Sequence, residues 1–227
     1  MTSRYDAVYG AWRRDPEAFW AEAAEDITWT KRWDTVLDAA NPPFYRWFKG
    51  GVLNTCYNAL DRHVEAGNGG RLALIYDSPL AGKKQTYTFQ ALRDAVAKLA
   101  GALAALGVKR GDRVIVYMPM VPEAVMAMLA CARLGAVHSV VFGGFAANEL
   151  ATRIDDAKPA AILSASCGIE PGRIVHYKPL LDGAIELARH KPKATLILQR
   201  AQQTCALVAG RDHDWAEAVA KAKPAEC

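Results

Sequence analysis

The sequence lacks a long apolar run. Its longest, such as Ala124–Ala132, falls far short of the ~20 residues that a membrane-spanning helix needs. It lacks a secretory signal: residues 1–20 carry Asp6, Asp15 and Glu17 and hold no apolar stretch. It lacks paired cysteine motifs. Cys56, Cys131, Cys167, Cys205 and Cys227 are scattered and odd in number, with no CxxC and no zinc-type spacing to histidine. Buried or incidental thiols in a reducing, cytoplasmic setting are the expectation. It also lacks the usual signatures of several enzyme classes. There is no GxGxxG after a strand, no GxxxxGK[ST] phosphate loop, no GxSxG nucleophile elbow and no HExxH. The five histidines (His63, His138, His176, His190, His213) are dispersed. No catalytic residue and no metal site emerge from these patterns.

What is present is an ordinary globular composition over 227 residues, 52% hydrophobic and 23% charged. That length can bury a sizeable core in one or two domains. Net charge is +4, too mild to argue for nucleic acid. The charge is uneven, at −2 over residues 1–70 and +6 over 71–227. Residues 173–200 carry six basic and two acidic side chains, which suits either a solvated face or a seat for a phosphorylated ligand. Five of six tryptophans (Trp12, Trp20, Trp29, Trp33, Trp47) fall in the first 47 residues.

Asp15-Pro16-Glu17 starts a short helix to about Ala24, with Asp15 as cap and Pro16 in the first turn. Residues 27–51 show neither helical nor strand periodicity and read as an irregular aromatic arm, broken at Asn41-Pro42-Pro43 and Gly50-Gly51. Its tryptophans read as packing or docking anchors. Asn54–Val64 reads as a helix ended by the glycines near 67–70, which sets the expected domain boundary: 1–66 as an extension, 67–227 as the main body. A hairpin is expected over Leu72–Tyr76 and Gln85–Thr88. Thr88 then caps a helix carrying Leu92, Val96, Leu99 and Leu103.

Apolar strands and helices alternate from there: strands at Arg113–Met118, Ala136–Val141, Ala160–Ser164 and Thr195–Leu198, and helices at Pro122–Leu134, Ala146–Ala157, Pro179–Arg189 and His213–Ala222. The pattern predicts an α/β fold, a doubly wound, mostly parallel sheet covered on both faces. Ligands of such sheets gather at the carboxyl ends of strands. Two glycine-bearing loops fall there, Phe142-Gly143-Gly144-Phe145 and the stretch Ser166–Arg173. Glycine permits close backbone approach and Arg173 supplies a cation suited to phosphate, although each loop alone is also ordinary turn geometry. Asp155-Asp156 reads as a solvated charged face.

Several segments carry a resemblance along the whole length: Asp15-Pro16-Glu17-Ala18-Phe19-Trp20, WFKGGVLNTCYNALDRHV (47–64), RGDRVIVYMPMVPEAVMAMLACARLGAVHSVVFGGF (110–145), SCGIEPGRIVHYKPLLDGAI (166–185) and Asp214-Trp215. The chain resembles the N-terminal part of short-chain acyl-CoA synthetases of the AMP-forming (adenylate-forming) superfamily, and SCGIEPGRIV followed by YKPLLD is most similar to the propionyl-CoA synthetase branch. The resemblance implies a ligase that uses ATP, coenzyme A and Mg2+ to activate a short-chain carboxylate, propionate in that branch. It implies that the chain is a fragment, inactive alone, which ends before the ATP phosphate loop, and that the open sheet edge favours self-association. It carries over coenzyme A contacts to Glu170, Pro171, Gly172 and Arg173, with Phe142, Gly143 and Gly144 as part of the wall. Acetyl relatives often have arginine where Glu170 stands, which leaves Arg173 as the best single phosphate ligand. Acetyl- or acetoacetyl-CoA synthesis, and a non-catalytic binding module, remain open alternatives.

Overall fold

The computed structural model describes residues 3–144 and 146–227. Two compact units make up the chain, residues 1–54 and 55–227.

The first unit opens on helix α1 (Arg4–Arg14), which the sequence reading did not anticipate. A capping box starts it: Ser3 Oγ accepts from the Asp6 N–H at 3.1 Å, and the Asp6 carboxylate accepts from the Ser3 N–H at 3.0 Å. Tyr5, Tyr9 and Trp12 form a row along it, with ring centroids 5.7 and 5.4 Å apart. Helix α2 (Pro16–Ala24) begins as expected, the Asp15 carboxylate accepting from the Ala18 N–H at 2.9 Å.

The arm read as irregular contains a two-stranded antiparallel ribbon, β1 (Thr35–Asp38) and β2 (Arg46–Lys49), with Leu37 opposite Trp47. Its apolar contacts come from aromatic rings at irregular spacing, which is why no period was visible. Trp29, Trp33 and Phe48 pack with centroids 5.0–5.5 Å apart, and Trp20 meets Trp47 edge-on at 6.3 Å. Gly51 is required here, because a Cβ would stand 2.6 Å from the Trp29 ring.

In the second unit, a helical segment 55–68 with wide π-type turns precedes the hairpin β3 (Leu72–Ser78) and β4 (Lys83–Thr88). Thr88 Oγ accepts from the Ala91 N–H at 3.1 Å and starts α3 (Phe89–Ala105). The alternation follows: β5 (Arg113–Tyr117), α4 (Pro122–Leu134), β6 (Val137–Val141), α5 (Ala147–Ala157) and β7 (Ala161–Ala165). A hairpin β8 (Cys167–Glu170) and β9 (Arg173–His176) leads into α6 (Tyr177–Leu187). Strand β10 (Ala194–Leu198), strand β11 (Asp212–Asp214) and α7 (Trp215–Lys221) complete the unit.

Five strands form one parallel sheet in the order β11-β10-β7-β5-β6. Side-chain alternation divides the buried residues between two faces. Val114, Val116, Leu163 and Leu196 join the core under α3, α4 and α7. Ile115, Tyr117, Ile162 and Ile197 join the core under α5 and α6. Each large aliphatic side chain so buried contributes about 1.5–3 kcal/mol, and both cores are needed because every central strand is apolar on both sides.

Two elements of the second unit differ from expectation. The segment 166–173 is an antiparallel hairpin rather than a loop, turning at Pro171-Gly172 with Glu170 paired to Arg173. Gly172 takes φ +76°, which an L side chain rarely adopts. Strand β11 was missed because its three residues, Asp212-His213-Asp214, carry no apolar signal.

Candidate functional site

Chain order places the site. From β5 the chain crosses to β6 on one side, then returns past β5 to β7 and on to β10. The connections after β5 and β7 leave toward opposite faces, α4 on one and α6 on the other. Such a reversal opens a crevice at the carboxyl ends of the adjacent strands. Tyr117 closes β5 there, Val141 closes β6, and Ala165 closes β7 before the hairpin β8–β9.

A buried aromatic pair forms the floor. Tyr117 and Tyr177 stack with centroids 5.0 Å apart and an interplanar angle of 27°. Burial pushes the Tyr177 phenol up to about 12, aided by Tyr117 and Glu170, and pushes Tyr117 up as well, so both stay protonated. Two glycines close over Tyr177. A Cβ on Gly168 would lie 2.7 Å from its ring, and a Cβ on Gly143 would collide with its hydroxyl while standing 3.0 Å from the Met118 carbonyl. The backbone of Gly144 hydrogen-bonds the Tyr117 hydroxyl. These contacts fix the loop after β6 against the hairpin after β7.

The structure therefore brings together the two glycine-bearing loops singled out in the sequence. Gly144, at φ +96°, is close enough to the hairpin turn that a Cβ there would sit 4.0 Å from Glu170 Oε1. Phe142, which follows β6 at the same edge, is 74% exposed. Phe145 lies outside the described residues. Pro171 and Gly172 form the tip, and nothing lies within 4 Å of a Cβ on Gly172.

Arg173 does not stand free. Its Nε donates to Glu170 Oε2 at 2.7 Å, and a second guanidinium nitrogen lies 2.6 Å from the same oxygen. Both side chains are largely exposed, at 71% and 45%. An exposed pair of this kind is worth about 0.2–1 kcal/mol, so an arriving dianion can displace Glu170.

Four other basic residues of the segment 173–200 are engaged in structure: Lys178, Arg189, Lys191 and Arg200. Lys178 is buried and bridges Asp182 at 2.5 Å and Asp212 at 3.0 Å. Lys191 Nζ donates to the carbonyls of Ile185, Glu186 and Ala188 at 2.6–2.9 Å, capping the end of α6. Arg200 donates to the Cys167 carbonyl at 3.1 Å, and its backbone N–H donates to Ser166 Oγ at 2.9 Å. Arg189 pairs with Asp155 at 3.3 Å. Most of that charge excess thus shapes the fold, and Arg173 remains as an exposed cation at the hairpin turn. Asp155 is likewise more than a solvated charge: its carboxylate accepts from the His190 backbone N–H at 2.8 Å.

A cavity of about 110 Å³ lies nearby, lined in part by Tyr76, Lys83, Pro122, Gln199 and Arg200. That is below the ~300–1,000 Å³ of small-molecule pockets, and none of Phe142, Gly143, Gly144, Glu170 or Arg173 lines it. Among the described residues, the one group that could gather a cation is Cys56, Asp61 and Cys227, which belongs to a different region of the unit.

The profile of the AMP-binding enzyme family matches residues 60–226. The chain belongs to that family. Residues 5–59 match a second profile, the acetyl-coenzyme A synthetase N-terminus. The chain is 50% identical over 224 residues to rat acyl-CoA synthetase short-chain family member 3, mitochondrial, covering 98% of this chain and 33% of that protein. It is 52% identical over 202 residues to the propionate–CoA ligase of Salmonella typhimurium, covering 89% of this chain and 32% of the ligase. A solved acetoacetyl-CoA synthetase from Streptomyces lividans superposes with a TM-score of 0.83 at 27% identity, covering 100% of this chain and 34% of that structure. The chain spans about a third of the length of the relatives it matches. No described helix is long and apolar enough to cross a membrane.

Proposed function

We propose that this chain forms the coenzyme A-facing part of an AMP-forming short-chain acyl-CoA ligase acting on propionate. The whole reaction joins a carboxylate to the α-phosphate of ATP with loss of pyrophosphate. The coenzyme A thiol then displaces AMP and gives the thioester. Mg2+ supplies charge neutralisation at the phosphates. In this reading ATP, Mg2+ and the carboxylate are held outside residues 1–227, and the protein works in the cytoplasm.

One observation carries the proposal: Arg173 is exposed at the tip of the β8–β9 turn, next to the Gly143-Gly144 loop. The residues present suit a phosphorylated nucleotide end. Gly144 and Gly172 add no side-chain bulk, Arg173 offers a planar donor for a phosphate, and Phe142 offers an apolar face. Glu170 holds the guanidinium in the site until the ligand arrives and then competes with it. The propionate assignment draws on the 52% identity to a propionate–CoA ligase, against 27% to the acetoacetyl enzyme.

The test is pyrophosphate release and thioester formation by the product of the whole gene across a carboxylate panel. Propionate is expected to be turned over faster than acetate and acetoacetate, and residues 1–227 alone are expected to release no pyrophosphate. A preference for acetate or acetoacetate would overturn the substrate assignment, and turnover by 1–227 would overturn the placement of the chemistry. We also propose that the isolated chain self-associates through the outer edge of β6, where Val137 and Val140 are each 54% exposed. Light scattering that stays monomeric on concentration would contradict this.

A further inference from the structure

Two cysteines 171 positions apart in the sequence meet in the second unit. Cys56 opens the helical segment 55–68 and is fully buried, while Cys227 is exposed beside it. Their sulfurs and a carboxylate oxygen of Asp61 lie within 4.8 Å of one another, and the Cys227 thiol donates to Asp61 Oδ2 at 3.5 Å. The contact is built by the packing of the last residues. A Cβ on Gly101 of α3 would collide with the Lys223 carbonyl, so the missing side chain admits the segment after α7. The Ala225 N–H donates to the Ala97 carbonyl at 2.9 Å, and Arg133 Nε donates to the Ala225 carbonyl at 2.6 Å. Two hydrogen bonds and one glycine contact therefore deliver Cys227 to Cys56.

The surroundings decide between a cation and covalent thiol chemistry. Arg133 donates to both Asp61 oxygens at 2.7 and 3.0 Å, and lies 3.6 Å from Cys56 Sγ. A metal ion would have to share the site with a buried guanidinium, or expel it and leave it unpaired. That same guanidinium favours a thiolate. The neighbouring Cys227 thiol lowers the Cys56 thiol below its ordinary range, burial opposes this, and Arg133 adds to the lowering. Cys131 shows the contrast: with burial as the one cause, its thiol is pushed up to about 12.

We infer that Cys56 and Cys227 form a thiol pair that hydroperoxides oxidise to an intramolecular disulfide, fastening residues 222–227 to the helical segment 55–68. Cys227 is the exposed sulfur and meets the oxidant; the neighbouring Cys56 and burial push its thiol up, so it reacts through its minor thiolate fraction and needs peroxide in excess. Hydrogen peroxide transfers one oxygen to it, giving a sulfenic acid and one water. The Cys56 sulfur, as thiolate, attacks the Cys227 sulfur, the S–S bond forms and the S–O bond breaks. The hydroxide released takes up the proton that Cys56 gave up and becomes a second water. Two thiols lose two electrons and two protons, and one peroxide is reduced to two waters. The sulfurs must close to about 2.05 Å, and Cys227, outside any helix or strand, supplies the movement.

The test treats the 227-residue chain with excess hydrogen peroxide and maps it under non-reducing conditions. Titratable thiols are expected to fall from five to three, with one linked peptide pair containing Cys56 and Cys227, reversed by dithiothreitol. Trypsin cleavage after Lys221 should release residues 222–227 from the reduced protein and leave them attached in the oxidised one. Cys227→Ser, at an exposed position, should fold normally and lose the linked pair completely. A free Cys56 thiol after peroxide, a Cys227 that stops at the sulfinic acid, or Cys227 linked instead between two chains would each overturn the inference.

Discussion

The Tyr177 hydroxyl occupies the space that a Cβ on Gly143 would need. The first residue of α6 thereby holds the loop after β6 in place, and Gly168 admits the same ring from the hairpin side. Gly143→Ala must displace the Tyr177 ring or the loop backbone. We expect a loss of about 1–3 kcal/mol, the range for overpacking a close-packed interior, read as a lowered urea midpoint at unchanged slope. Adding Tyr177→Phe removes the hydroxyl but leaves ring carbon Cζ 3.0 Å away, so the double variant should recover part of the loss.

Arg133 and Asp61 form a bidentate ion pair with side chains only 3% and 10% exposed, joining α4 to the helical segment 55–68. Arg133→Met strands a buried carboxylate and should cost about 3–5 kcal/mol. Arg133→Met with Asp61→Leu removes both charges and should be more stable than the single variant. Urea denaturation of the three proteins measures both effects.

Asp212 accepts from Thr195 Oγ1 at 2.6 Å and from the Val208 N–H at 2.8 Å, and it pairs with Arg211 and Lys178. Burial raises its pKa, but Arg211, Thr195, Val208 and Lys178 together outweigh burial and hold it well below the usual carboxylate range. A depressed folded-state pKa contributes stability that is fully present above the unfolded value of about 3.9. That contribution is lost as pH falls through the folded value. Stability of the intact chain should therefore drop on acidification below about pH 4. Asp212→Asn should lower stability at pH 7 and flatten this part of the acid limb in denaturant titrations.

The parallel sheet was legible in the sequence because its strands are short, apolar on both faces and bounded by glycine and proline. Pro122, Thr88 and Asp15 marked helix starts for the same local reasons that the structure shows. The hairpin β8–β9 was hidden because Cys167 and Gly168 interrupt any alternation, and the ribbon β1–β2 because its order rests on aromatic contacts between distant residues such as Trp29 and Phe48. The two loops of the site could be placed at one sheet edge from strand order alone. The role of Tyr177 as their common support, and the pairing of Glu170 with Arg173, depend on packing across the sheet and had no signal in spacing. The cysteines looked incidental because the 171 positions between Cys56 and Cys227 conceal their proximity.

In the function proposed above, Arg173 is a phosphate seat restrained by Glu170. Calorimetric titration of the chain with coenzyme A and with its 3′-dephospho form tests it most directly. Coenzyme A is expected to bind more tightly than the dephospho form, Glu170→Gln to gain affinity for coenzyme A, and Arg173→Gln to lose the discrimination. Equal binding of the two ligands, or discrimination that survives Arg173→Gln, would contradict it.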